Sequence, residues 1–202
     1  MDDKKIRIAC IGDSNTDGWP GELDYTPYTV YLQKLLGESY LVMNFGKFNT
    51  TATFSMDDPY IDNEVYNNAI ASEPDIVTIM IGGNECKDYN WNSFGGDFRK
   101  DYSALADNFL ELNTKPKVFL CTPAPVNPDN FYKLSSEIMA NEVAPAIREI
   151  AKEKKLALID INSKLSQLND LSLFDKDKLH LNNKGHEIVA GFFYDIIATL
   201  QL

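Results

Sequence analysis

The chain has 202 residues and a mass of 22.8 kDa, which is long enough for one domain and short for two. Its formal net charge is −11, from 30 acidic and 19 basic residues, and so acidic a chain repels nucleic acid and anionic membranes. With three cysteines and two histidines, the sequence excludes a disulfide framework, a Cys-rich zinc module and a multi-histidine centre, so we expect no metal and no cofactor.

The amino terminus carries no recognisable targeting segment. Residues 1–5 lead directly into a strand-like run, with no apolar signal region before it. No window approaches the ~18 apolar residues that a membrane span needs. We therefore expect a soluble, cytoplasmic protein. A secreted or periplasmic protein whose export signal had been removed would read the same, and the sequence leaves the oligomeric state open.

Five short β-type runs are spaced along the chain. They cover residues 6–11, 40–45, 76–81, 118–121 and 156–161. The first three are followed by glycine, and Pro123 stops the fourth. Several of the runs are almost continuously apolar, which is typical of strands buried on both faces of a parallel sheet.

Helical patterns alternate with these runs. Apolar residues recur at helical spacing over residues 28–36, 98–112 and 188–200, and residues 60–72 form a weaker candidate. A further helix over 136–154 contains Pro145, which should kink it or start a second helix there. This alternation predicts a single domain over residues 1–202, a three-layer α/β/α fold with a five-stranded parallel sheet in the flavodoxin-like order 2-1-3-4-5.

In such a sheet, ligands bind beyond the carboxyl ends of the strands, where the strand order reverses. Ser14 follows the first strand, Gly46 the second and Asn84 the third. His180 lies in the loop before the last helix, at the same end of the sheet. The predicted order therefore brings these four residues together around the end of the first strand.

Serine, histidine and aspartate in this arrangement fit nucleophilic acyl transfer. The Ser14 hydroxyl needs a base to take its proton, and the imidazole of His180 titrates near neutral pH. Asp177, three residues before His180, can accept a hydrogen bond from its Nδ1–H, and Asp175 is the alternative orienting carboxylate. His186, the other histidine, is predicted to be a solvated residue of the last helix.

The oxyanion of a tetrahedral intermediate needs prearranged donors, each worth roughly 2.7–4 kcal/mol. The backbone N–H groups of Ser14 and Gly46 and the side-chain amide of Asn84 can supply three. Trp19 and Trp91 follow the strand ends on loops and are candidates for the wall of a substrate pocket. Ordinary packing of these two indoles is an equally open interpretation.

Four short strings carry a family resemblance. Ile-Gly-Asp-Ser at 11–14, Asn-Phe-Gly at 44–46, Ile-Gly-Gly-Asn-Glu at 81–85 and Asp-Lys-Leu-His-Leu-Asn at 177–182 resemble, in order, the sequence blocks of the SGNH, or GDSL-type, hydrolases. The resemblance implies the SGNH hydrolase fold, Ser14 as nucleophile, Asp177 and His180 as its triad partners, and Gly46 and Asn84 as oxyanion donors.

Two positions depart from the family pattern. The third string usually ends in aspartate in the family, where this chain has Glu85. The last string often has proline after the histidine, where this chain has Leu181.

Three features resemble carbohydrate O-acetylesterases, including the sialate-type branch: Trp91, the Pro-Ala-Pro stretch at 123–125 and the overall length. The resemblance implies a serine esterase that removes a small acyl group, acetyl above all, from a small-molecule or glycan ester. A lysophospholipase or thioesterase of the same family, and a non-catalytic glycan-binding relative, are the alternatives.

Overall fold

The computed structural model describes residues 5–18 and 25–200. Its centre is a five-stranded sheet in which every pairing is parallel and the strand order is 2-1-3-4-5. The predicted fold class and strand order are therefore confirmed. The strands are β1 (Ile6–Gly12), β2 (Tyr40–Gly46), β3 (Ile76–Met80), β4 (Lys117–Cys121) and β5 (Ala157–Ile159).

Helices cover both faces of this sheet. The α-helices of the described residues are α1 (Ser14–Asp17), α2 (Tyr28–Leu36), α3 (Glu64–Ala71), α4 (Asp88–Phe94), α5 (Phe98–Leu110), α6 (Ser136–Ile138), α7 (Ala144–Lys154), α8 (Ile161–Leu168) and α9 (Asn183–Ile197). Short 3₁₀ turns lie at Tyr60–Asp62, Asn84–Cys86, Gly95–Asp97 and Leu171–Leu173.

The alternation of side chains along β1 divides the core into two layers. Ala9 and Ile11 are fully buried on the face covered by α3, α5 and α7. Ile8 and Cys10 are fully buried on the opposite face, against α2, α8 and α9. A central strand buried on both faces is held rigidly, and its carboxyl end is a fixed platform for the residues that follow it.

The fifth strand is shorter than predicted, because Asp160 ends it. Its carboxylate accepts a hydrogen bond from the N–H of Ser163 at 3.2 Å and pairs with the Arg148 guanidinium at 2.8 Å. An aspartate in this position caps a helix, so the chain turns into α8, which the sequence pattern did not indicate.

Pro145 lies in the first turn of α7, but the helical stretch from Ser136 to Lys154 is continuous through it, so the proline does not begin a separate helix. The preceding residues, Met139–Val143, form a π-helical segment, and α7 begins at Ala144 with the proline in its first turn. The N–H of Ala144 bonds to the carbonyl of Met139, five residues back, so a wider π-helical turn precedes the proline and makes room for its ring. Among residues 5–18 and 25–200, none of the helices combines the length and apolar character needed to cross a membrane.

Two glycines of α9 provide a test of this packing. A Cβ atom on Gly185 would lie 2.3 Å from the carbonyl oxygen of Leu173, whereas one on Gly191 would meet nothing within 4 Å. We expect Gly185→Ala to lower the free energy of unfolding by about 1–3 kcal/mol, because backbone must move. Gly191→Ala should raise it by up to ~1 kcal/mol through helix propensity. Urea unfolding of both variants measures this, and equal shifts would contradict the packing described for α9.

Candidate active site

Ser14 is fixed at the carboxyl end of β1 by the residues on either side of it. It is the first residue of α1, and the Asp13 side chain caps this helix by accepting from the N–H of Asn15 at 3.1 Å. The other Asp13 oxygen accepts from the N–H of Gly83 at 3.2 Å, which joins the loops after β1 and β3. At Gly12, a Cβ atom would lie 2.6 Å from the carbonyl oxygen of Met80, so only glycine allows this close approach of the two strand ends.

A chain of two hydrogen bonds links Ser14 to a histidine and an aspartate. His180 Nε2 lies 2.9 Å from Ser14 Oγ, and His180 Nδ1 lies 2.6 Å from Asp177 Oδ2. Only 8% of Ser14 and 4% of His180 is exposed, so bulk water does not compete strongly for these bonds. The structure thus brings together the three residues that the sequence predicts as a triad.

The carboxylate of Asp177 holds the histidine loop as well as the imidazole. Its Oδ1 accepts from the N–H groups of Leu179 and His180, at 2.9 and 3.0 Å. Burial opposes ionisation of Asp177, but the hydrogen bonds from the imidazole and these two N–H groups outweigh it and lower its pKa. Asp175, the alternative orienting residue, instead accepts from the N–H of Lys176 at 2.7 Å. Asp177 is therefore the carboxylate that faces the imidazole.

His186 differs from its prediction as a solvated residue, because it is fully buried beneath α2. Its Nδ1 accepts from the N–H of Tyr28 at 3.2 Å, so the ring proton lies on Nε2 and is donated to the Tyr25 hydroxyl. Burial lowers the pKa of His186 to about 3. A histidine with both nitrogens engaged in this way attaches the start of α2 to α9 and is not placed to serve as a base.

Gly46 is not placed to donate to an oxyanion, which corrects the sequence prediction. Its N–H donates to Asn44 Oδ1 at 2.8 Å. A Cβ atom there would lie 2.0 Å from the backbone nitrogen of Asp17, so the glycine serves the close contact between β2 and α1. This loop reaches the Ser14 cavity with Phe48, whose N–H donates to Asp17 Oδ2, and with Asn49. Asn49 has a left-handed φ of 66°, and no hydrogen-bond partner for its N–H is found in the described ranges.

Two further residues that carry N–H donors, Asn84 and Ser14, line the same cavity. Asn84 begins the 3₁₀ turn after β3, and its amide donates one N–H to the carbonyl of Thr50 at 3.0 Å, which leaves the second amide hydrogen available. The N–H of Ser14 belongs to the first residue of α1, and helix-starting N–H groups have no partner within their own helix. Asn49, Asn84 and Ser14 therefore form the donor set that the structure offers.

Glu85, which stands where the family usually has aspartate, holds the loop after β2. Its side chain is fully buried, and Oε1 accepts from the N–H groups of Ala52 and Thr53, at 2.5 and 3.1 Å. Oε2 is buried without a hydrogen-bond partner among the described residues. Burial raises the pKa of Glu85 to about 7. The longer side chain thus connects the third block to the loop that carries Asn49.

The Ser14 cavity has a volume of about 580 Å³ and opens beside the triad. It is lined by Ser14, Phe48, Asn49, Asn84, Lys87, Asp88, Tyr89, Tyr132, Lys133, Leu134, Leu179 and His180. Trp91 is not part of this wall: it lies on α4 with its ring 5.8 Å from that of Phe98, packed on the core. Trp19 lies outside the described residues.

Within the described ranges, no group of three or more His, Cys, Asp or Glu side chains is placed to hold a metal ion.

A buried serine hydroxyl bonded to an imidazole, which is bonded in turn to a carboxylate, is the arrangement of a serine hydrolase. Here it stands at the carboxyl edge of a parallel α/β sheet. Residues 10–188 match the GDSL-like lipase/acylhydrolase family, and the chain belongs to that family. The resemblance found in the four sequence blocks is thereby confirmed.

One sequence relative and several solved structures are similar to this chain. The acetylxylan esterase of Xylanibacter ruminicola is 32% identical over an alignment of 203 positions, which covers 92% of this chain and 42% of the relative. The chain thus spans less than half the length of that relative.

Among solved structures, an inhibitor-bound aryl esterase of M. smegmatis has a TM-score of 0.77 at 22% identity. The similarity covers 97% of this chain and 100% of the other. An acetylxylan esterase of Geobacillus stearothermophilus has a TM-score of 0.72 at 20% identity, covering 96% and 95%.

The buried Glu85 makes stability depend on pH. Glutamate ionises near 4.5 in an unfolded chain and near 7 in this fold, so the folded protein binds more protons between these values. The free energy of unfolding should therefore fall as pH rises through this window, by about 3 kcal/mol relative to Glu85→Gln, which cannot titrate. Urea unfolding at pH 5, 6, 7 and 8 measures the difference. Glu187→Gln, on the exposed side of α9, is the control, and parallel curves for wild type and Glu85→Gln would contradict this assignment.

Proposed function

We propose that the protein is a serine esterase that removes acetyl groups from an acetylated carbohydrate through an acyl-enzyme. The observation that carries the proposal is the 2.9 Å contact between His180 Nε2 and Ser14 Oγ, beside a cavity of about 580 Å³. A base at this distance takes the hydroxyl proton as the oxygen attacks an ester carbonyl. The Asp177 carboxylate then stabilises the imidazolium that forms.

The reaction runs in two halves. Ser14 Oγ bonds to the carbonyl carbon, its proton moves to His180, and the tetrahedral oxyanion is held by N–H donors of Ser14, Asn49 and Asn84. The carbon–oxygen bond to the alcohol breaks, and the imidazolium protonates the departing oxygen. Water then attacks the acyl-enzyme with His180 again as base, and acetate leaves with Ser14 regenerated.

Two comparisons support the assignment of roles and substrate. The relative from Xylanibacter ruminicola is an acetylxylan esterase. The catalytic mutants of the acetylxylan esterase of Geobacillus stearothermophilus replace a serine, an aspartate and a histidine, the last two three positions apart. Asp177 and His180 have the same spacing here.

The wall of the cavity carries hydrogen-bonding groups that suit the polar alcohol of an ester substrate. Asn49, Asn84, Lys87 and Asp88 place amide and charged groups on a wall that is otherwise mostly apolar, so the hydroxyl groups of a sugar would find hydrogen-bonding partners beside the ester. Aromatic rings of Phe48, Tyr89 and Tyr132 stand between these polar groups, and each is at least 41% exposed. Exposed rings beside hydrogen-bonding groups suit the mixed surface of a sugar.

A series of p-nitrophenyl esters tests the acyl preference. We expect kcat/KM to fall by about tenfold or more from acetyl to octanoyl, because the added methylenes would displace water from the amide of Asn84 and the ammonium of Lys87 without replacing its hydrogen bonds. Acetylated xylo-oligosaccharides and acetylated monosaccharides, assayed by acetate release, should be hydrolysed by the wild type, and Ser14→Ala should reduce the release to the background rate.

Other outcomes would replace the proposal with one of its alternatives. Activity that rises steadily toward octanoyl would favour a lysophospholipase or thioesterase. Binding of the acetylated oligosaccharides with no acetate release by the wild type would favour a glycan-binding protein without catalysis.

A further inference from the structure

Asn49 holds an unusual position for a residue with a side chain. Its φ of 66° lies in the left-handed region, which is unfavourable for most L-residues and which asparagine tolerates better than others. It lines the Ser14 cavity together with Ser14, Asn84 and His180. An oxyanion donor must stay within a few tenths of an ångström of its working position, so this loop conformation needs to be held.

The side chain of Lys87 contacts Asn49 from the neighbouring loop. Its Nζ donates to Asn49 Oδ1 at 2.9 Å and lies 3.8 Å from Asp57 Oδ2. Lys87 follows directly after the 3₁₀ turn that begins with Asn84, and only 18% of its side chain is exposed. The ammonium group therefore joins the loop after β3, which carries Asn84, to the loop after β2, which carries Asn49.

Asp57 extends this contact to the cavity rim. Its Oδ2 also accepts from the Tyr89 hydroxyl, and Tyr89 lines the cavity. The carboxylate thus fixes the direction from which Lys87 approaches Asn49. An exposed ion pair by itself contributes little to stability, so the significance of this group lies in what it orients.

We propose that Lys87 is a positioning residue for ester hydrolysis and acts through Asn49 Oδ1. By holding the asparagine side chain, it keeps the left-handed backbone in place and the N–H of Asn49 directed at the oxyanion. This inference rests on the proposed function, because the N–H has a catalytic task only if an oxyanion forms in the cavity.

Kinetics on p-nitrophenyl acetate test the proposal. Lys87→Met keeps the aliphatic stem and removes the donor, and we expect it to lower kcat about tenfold through misplacement of a transition-state donor, with KM changed less than about twofold. Lys87→Arg, which can still donate to Asn49, should recover most of the lost kcat. The control is Lys184→Met, which removes an ion pair of α9 with Asp170 at 3.1 Å and should leave kcat unchanged.

A double-mutant cycle shows whether Lys87 acts through Asn49. Asn49→Gly keeps the N–H and the left-handed backbone but removes Oδ1, so it should lower kcat to a degree similar to Lys87→Met. Because both changes break the same contact, the double variant should be no slower than the slower single variant. A Lys87→Met effect that persists fully in the Asn49→Gly background would overturn the proposal, since the lysine would then act directly.

Amide hydrogen exchange tests the same contact without relying on activity. Peptides covering residues 47–51 should exchange faster in Lys87→Met than in the wild type and at the wild-type rate in Lys184→Met. Two results would refute the positioning role alone, provided that hydrolysis still depends on Ser14. One is unchanged amide exchange in Lys87→Met, and the other is a wild-type kcat in that variant. Loss of the dependence on Ser14 would refute the proposed function instead.

Discussion

The parallel pairing of β1 between β2 and β3 is the constraint on which the site depends. The register places Gly12 beside Gly46 on one side and Met80 on the other, so three strand ends meet within one pleat. Glycine at position 12 makes room for this meeting, since a side chain would collide with the carbonyl of Met80. Ser14, the loop after β2 and the Asn84 amide after β3 therefore lie close together at this edge of the sheet. The histidine loop completes the site from a point 166 residues later, through the contact of its imidazole with Ser14.

Buried acidic groups hold these loops together. Asp13 and Glu85 each give up hydration to accept backbone N–H groups of neighbouring loops, and burial raises the pKa of both. Burying a carboxyl group lowers the free energy of unfolding. The structural result here is a fixed arrangement of the loops around Ser14. Asp177 shows the opposite balance, since its hydrogen bonds outweigh burial and favour the charged form that an imidazolium requires.

The sequence predicts the sheet and the triad because their signals are local. Apolar runs define the strands, and an Asp-x-x-His spacing places the carboxylate and imidazole within one tight loop. The oxyanion donor that we propose in the loop after β2, Asn49, could not be predicted in the same way. Gly46 and Asn49 are three residues apart, and only the hydrogen bond from Gly46 to Asn44 and the left-handed backbone at Asn49 separate their roles. The placement of Trp91 likewise depends on which side of α4 faces the core, which a lone tryptophan does not reveal.

The central claim is that Ser14 is a nucleophile activated by His180, and covalent labelling tests it most directly. A p-nitrophenyl alkylphosphonate transfers its phosphonyl group to an activated serine oxygen with release of p-nitrophenolate, and the adduct is stable enough for peptide mapping by mass spectrometry. The account predicts one phosphonyl group per chain, located on Ser14, and a large loss of labelling rate in His180→Ala. A label on another residue, or equally rapid labelling of Ser14 in His180→Ala, would contradict it.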